Sequence, residues 1–141
     1  MTRKEARKAV FELLFESGFR SDEKPFDIYE ISSDNRELDN DVYVRGVFFG
    51  VLENLELIDE TIGKHSHGWK LDRISRVSRT VLRIAVYEML FLNDIPARVS
   101  INEAVELCKS FDDEKARPFV NGVLNSVKKQ LEAAEGGNEN G

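Results

Sequence analysis

The stretch RTVLRIAVYEM, residues 79–89, decides the fold. Val81, Leu82, Ala85, Val86 and Met89, with Val77 just before them, recur at spacings of three and four, the period of a helix with one apolar face. Arg83 and Glu88 interrupt that face, so the segment is too polar to cross a membrane and reads as a core helix. Arg83 stands inside the apolar run and is expected to pair with a carboxylate such as Glu103 or Glu106. Pro96 ends the segment.

Helical periodicity continues on both sides. Downstream, Ser100 and Glu103 match a capping box opening a helix with Ile101, Ala104, Val105 and Cys108 on its apolar side. A last helix starts near residues 115–118, where proline is tolerated in the first turn, and buries Phe119, Val120, Val123, Leu124 and Val127. Upstream, Gly63 and Gly68 bracket a break around Trp69, and Leu71 and Ile74 fit a short turn. Asp39 or Asn40 caps a helix carrying Val44, Val47, Phe48, Val51, Leu55, Ile58 and Ile62. Pro25 suits the first turn of a short helix through about Ser32. Thr2 and Glu5 form another capping box, before Ala6, Val10, Leu13 and Leu14, on a helix ending near Gly18. Alternation of the kind that makes strands and hairpins does not appear. The expectation is an all-α protein of about seven helices, in two small packed helical bundles forming one domain over residues 1–135, with a disordered tail at 136–141.

Composition narrows the function classes. A chain of 141 residues that is 41% hydrophobic builds one core. There is no basic flank leading into an apolar run and cleavage site, and the single cysteine, Cys108, has no partner for a disulfide or a zinc cluster, so a cytoplasmic protein with no membrane contact is expected. The net charge of -6 repels phosphates, so any nucleic-acid site must be a local basic patch.

The first helix supplies one. Arg3 and Arg7, and Lys4 and Lys8, are pairs four apart, which concentrates four cations within two turns. They suit RNA or DNA phosphates, or form a solvated face paired with Glu5, Glu12 and Glu16. A second basic row is Arg73, Arg76, Arg79 and Arg83. Phe15, Phe111 and Phe119 are candidates for stacking on unpaired bases, or for packing in the core. Catalytic signals are poor. His65 and His67 stand two apart with no cysteine nearby, and Ser126 with Lys129 matches S-x-x-K without the companion motifs of that chemistry. With no glycine-rich phosphate loop either, no enzyme activity, metal or cofactor is expected.

Several blocks together resemble the NusB family of transcription antitermination factors. The segment from Ala6 to Phe15 is similar to its basic-then-apolar first helix, and WKLDRI at 69–74 to its W-x-L-x-R-I stretch. RTVLRIAVYEM with Asp94, Ile95 and Pro96 resembles its R-x-x-L-R-x-A-x-Y-E helix and I-P connector, and INEAVEL at 101–107 and FVNGVL at 119–124 its two C-terminal signatures. The resemblance implies a non-enzymatic factor that binds boxA-type single-stranded RNA of ribosomal RNA leader transcripts together with NusE, a small-subunit ribosomal protein, and joins the RNA polymerase antitermination complex. Homodimerisation is a further expectation. So is a rival role as a protein-protein adaptor whose basic helix is only a solvated face. On this sequence the implied RNA surface falls on Arg3, Lys4, Arg7 and Lys8, on Val77, Ser78 and Arg79, and on Phe111, Lys115 and Phe119. Lys115 is expected to offset an N-terminal cluster with fewer arginines than some relatives carry.

Overall fold

The computed structural model describes residues 1–19, 24, 27, 29, 41–111 and 113–140, with Gly18, Phe19 and residues 136–140 described by backbone only. Helix α1 spans Arg3–Phe19. Its capping box forms as the sequence suggests: the Glu5 amide donates to Thr2 Oγ1 at 3.1 Å, and the Thr2 amide donates back to Glu5 Oε1 at 3.3 Å. Hydrogen bonds from the Thr2 side chain and then its backbone hold the Glu5 carboxyl below its ordinary pKa. The short helix expected at 25–32 lies outside the described residues, except for helical positions Asp27 and Tyr29.

The single helix expected from about 39 to 62 is two. Helix α2, Val42–Glu53, is capped by Asp41, whose carboxylate accepts from the Val44 amide at 2.9 Å. Asn54 leaves helical geometry and spends both its backbone N–H and its side-chain amide on the Gly50 carbonyl. Helix α3 then runs Leu55–His65 in a new direction. The break lets Val44, Phe48, Val51, Ile58 and Ile62 reach one core, which a straight rod of this length, about 30 Å or more, does not allow.

Helix α4, Arg76–Phe91, is capped by Ser75, whose Oγ accepts from the Ser78 amide. It lies at the centre and packs against each of the other five helices. This is why the stretch that opened the reading is buried almost all round, with Val81, Leu82, Ile84, Ala85 and Val86 at most 2% exposed. Helix α5, Ala97–Ser110, starts three residues before the expected Ser100 cap. Pro96 already takes an extended cap conformation, and Ser100 sits buried in the second turn, donating to Glu88 at 2.8 Å. Helix α6, Arg117–Asn140, carries Pro118 in its first turn as expected and runs past Gly136, where the sequence suggested a disordered tail. Residues 132–135 before that point are already exposed.

The described residues are all-helical, and the two expected bundles share α4 and one hydrophobic core. Among them no helix is long and apolar enough to cross a membrane.

Candidate nucleic-acid interface

The four cations of α1 separate into two kinds. Arg3, Lys4 and Lys8 are exposed, and the Arg3 guanidinium lies 4.5 Å from the centre of the Tyr43 ring. Arg7 is 4% exposed and has to be taken off the expected phosphate-binding surface. Its Nε and Nη2 donate to the two oxygens of Glu88 at 2.8 and 3.1 Å. Tyr43 Oη and Ser100 Oγ complete the coordination of that carboxylate. Burial by itself lowers the pKa of a guanidinium, but the carboxylate beside Arg7 carries it above the ordinary value. Burial, and then the same negative charge, push the Tyr43 phenol far up, so it stays protonated and donates. The physical reason for the correction is register. Arg7 stands three, four and seven residues before Val10, Phe11 and Leu14, inside the apolar stripe, and that signal was legible in the sequence.

The start of α4 and the connection between α5 and α6 meet through Asp113. Its Oδ2 accepts from Ser75 Oγ at 2.8 Å and Ser78 Oγ at 3.0 Å, while its amide donates to the Cys108 carbonyl. Ser78 is therefore buried and engaged, and does not present its hydroxyl at the surface; Val77 and Arg79 are half-buried beside it. The sequence reading missed Asp113, because a lone carboxylate in a polar connection carries no periodic signal. Phe111 stacks on Phe11 of α1 with ring centres 4.0 Å apart, and Lys8 Nζ stands 5.9 Å from the centre of the Phe111 ring. Arg76 closes the third side, over the Phe15 ring at 5.0 Å and within 3.4 Å of the Phe15 carbonyl.

Three segments distant in sequence are thus held together: the exposed cations of α1, the first turn of α4, and the connection from Phe111 to the exposed Lys115. Half-buried Phe119 lies further along, its ring edge-on to Trp69 at 6.2 Å. Glu103 and Glu106 of α5 line a small cleft with Lys4 and Lys8 and temper the field on that side.

The remaining candidates serve structure. Arg83 pairs with Asp59 of α3 through two bonds of 2.8 and 2.9 Å, not with Glu103 or Glu106, because its stripe of α4 faces α3. His65 is not a free histidine: its Nδ1 and Nε2 meet Ser126 Oγ at 2.7 Å and Gln130 Oε1 at 2.6 Å, which also engages the serine of the S-x-x-K tetrapeptide. Among the described residues no cluster of histidine, cysteine and carboxylate is suited to a metal ion. Cys108 is fully buried, and burial followed by the Asp113 charge raises its thiol to about 11.

Comparison with known proteins settles which helical protein this is. The profile of the NusB family matches residues 4–129. The transcription antitermination protein NusB of Bacillus licheniformis is 46% identical over 132 residues, 94% of this chain and all of the relative. The chain belongs to the NusB family. NusB of Natranaerobius thermophilus is 42% identical over 138 residues, 95% of this chain and 99% of its own. Among solved structures, T. maritima NusB superposes with a TM-score of 0.83 at 40% identity, covering 92% of each chain. A crystal structure of antitermination factors NusB and NusE in complex with dsRNA superposes at 0.80 with 32% identity, covering 91% of this chain and 96% of that one. Most NusB signature residues resolve here as architecture: Leu82 is fully buried, Arg83 binds Asp59, and Glu88 anchors α1.

Proposed function

We propose that this NusB-family chain captures boxA-type RNA of ribosomal RNA leader transcripts together with a NusE-type ribosomal protein, and joins the RNA polymerase antitermination complex. The observation that supports the reading best is Lys8 standing 5.9 Å from the centre of the Phe111 ring, on a helix that also exposes Arg3 and Lys4, in a protein of net charge -6. The exposed cations neutralise phosphates and position the strand, while the aromatic rings and polar groups beside them supply modest base preference. Arg7 acts from beneath, by fixing α1. Val77 and Arg79 flank the strand, and Ser78 holds Asp113 in place. The solved complex of NusB and NusE with dsRNA supports RNA and a NusE-type protein as classes of partner, and polymerase binding is part of the same family reading.

The test is binding of a boxA-like strand, a scrambled strand and a duplex across a salt series, with and without a NusE-type partner. Wild type is compared with a variant carrying Arg3, Lys4 and Lys8 changed to alanine; Arg7 is left alone because its loss would unsettle the fold. Sequence-preferring binding that disappears in the variant supports the reading. Equal competition by the duplex overturns its single-stranded element. Partner binding with no RNA binding at all leaves the protein-protein adaptor, with the α1 cations as a solvated face.

A further inference from the structure

Trp69 is the chain's single tryptophan, and 58% of its surface is exposed. Its backbone, by contrast, is fixed. His67 and Gly68 adopt successive left-handed conformations, with φ of 53° and 90°, which bend the chain sharply after α3. The Trp69 amide then donates to the Ser66 carbonyl at 3.1 Å, and the buried Ser66 hydroxyl lies 2.7 Å from the Trp69 carbonyl and 3.1 Å from the Gly63 carbonyl, with its one proton to donate between them. A non-glycine residue in the left-handed region costs about 1 kcal/mol or more, so the fold accepts local strain to hold this turn. Phe119 meets the indole at an interplanar angle of 67°, and more than half of the Trp69 surface stays exposed beside it.

Charge near the ring is net positive, two exposed cations against the one exposed carboxylate of Asp72. Lys70 and Arg73 are exposed within four residues of it, and among the described residues neither forms an ion pair. Phe119, which the indole meets, follows the exposed Lys115 by four residues, so Trp69 stands beside the segment that carries two residues of the RNA reading.

We infer that Trp69 is a stacking platform for an unpaired nucleobase, with Lys70 and Arg73 holding the flanking phosphates. This rests on the RNA-binding reading above. A rigid indole stacks on any base and needs no hydrogen-bond pattern, so the platform adds affinity and register more than sequence choice.

The experiment uses the full chain at low salt with a dye-labelled boxA-like single strand. Dye anisotropy follows binding, and tryptophan emission follows Trp69 in the same titration. The expected result is quenching with the same midpoint as the anisotropy, together with a loss of affinity of about 5- to 150-fold in Trp69→Ala, the range one stacked base supports. Trp69→Phe should recover part of that loss, and both variants should keep the helical circular dichroism and melting temperature of wild type. Full anisotropy with unchanged emission and unchanged affinity of Trp69→Ala would overturn the inference and leave the functional reading intact. So would equal quenching by a blunt duplex, or an emission change produced only by a NusE-type protein without RNA. Absence of any RNA binding would instead defeat the functional reading, and this inference with it.

Discussion

Glu88 receives four donors on two oxygens inside the core, and this makes it the residue on which the basic helix depends. Glu88→Ala leaves the Arg7 guanidinium buried and unpaired, an expected loss of about 3–5 kcal/mol in urea denaturation. Replacing the pair together, Arg7→Met with Glu88→Leu, should cost far less, because both desolvation penalties vanish with the charges. Cys108 makes a pH-dependent contribution. Its folded pKa is raised from 9.0 to about 11, so the neutral thiol's contribution to stability is complete below pH 9 and is lost as pH rises through about 11. Wild type should therefore lose stability relative to Cys108→Ala across that window, on the order of 2 kcal/mol, measured by denaturation at each pH. Tyr43 titrates in the same direction in both proteins and cancels in the difference.

Between elements, two close approaches carry predictions. Gly50 lets α2 press against α4: a Cβ there would stand 2.3 Å from Tyr87 Oη and 2.4 Å from the nearest ring carbon, Cζ. Gly50→Ala should destabilise by about 1–3 kcal/mol as an overpacked site, and adding Tyr87→Ala should recover part of that loss in the same thermal melt. Asp113→Ala removes the bonds that tie the α5–α6 connection to α4, so amide exchange at residues 111–116 and at Ser78 should quicken while the centre of α4 stays protected. Legibility in the sequence follows the same division. Helix α4 could be read because its period is local. The break at Asn54 could not, because apolar residues continue in register through it and only side-chain bonding to Gly50 marks the turn. Ser100 looked like a cap because the motif is local, yet its hydroxyl answers to Glu88 on another helix. Among the site residues, Lys4 and Lys8 of the charge cluster are exposed, as is Lys115, which only the family resemblance singled out. The inward turn of Arg7 follows from its place in the apolar stripe, but its partner Glu88, like the Asp113 that engages Ser78, lies 81 or 35 residues away, where no local pattern reveals it.

For the whole molecule, the inward turn of Arg7 changes the expected salt response. Four α1 cations on a single strand would give a slope of log affinity against log salt of roughly -3, whereas the three exposed ones give roughly -2. Changing Lys4 and Lys8 to glutamine should flatten the measured slope by about 1.4. The same arginine also bears on synthesis. Its partner Glu88 follows 81 residues later in the chain, so at about 5–20 residues per second the first helix leaves the ribosome roughly 4–16 seconds before that partner does. During that interval all four cations of the newborn segment stand open to any nearby polyanion, the ribosome's own RNA included. Completion of the central helix then draws one of them inside, so the finished first helix presents three exposed cations where the emerging segment carries four.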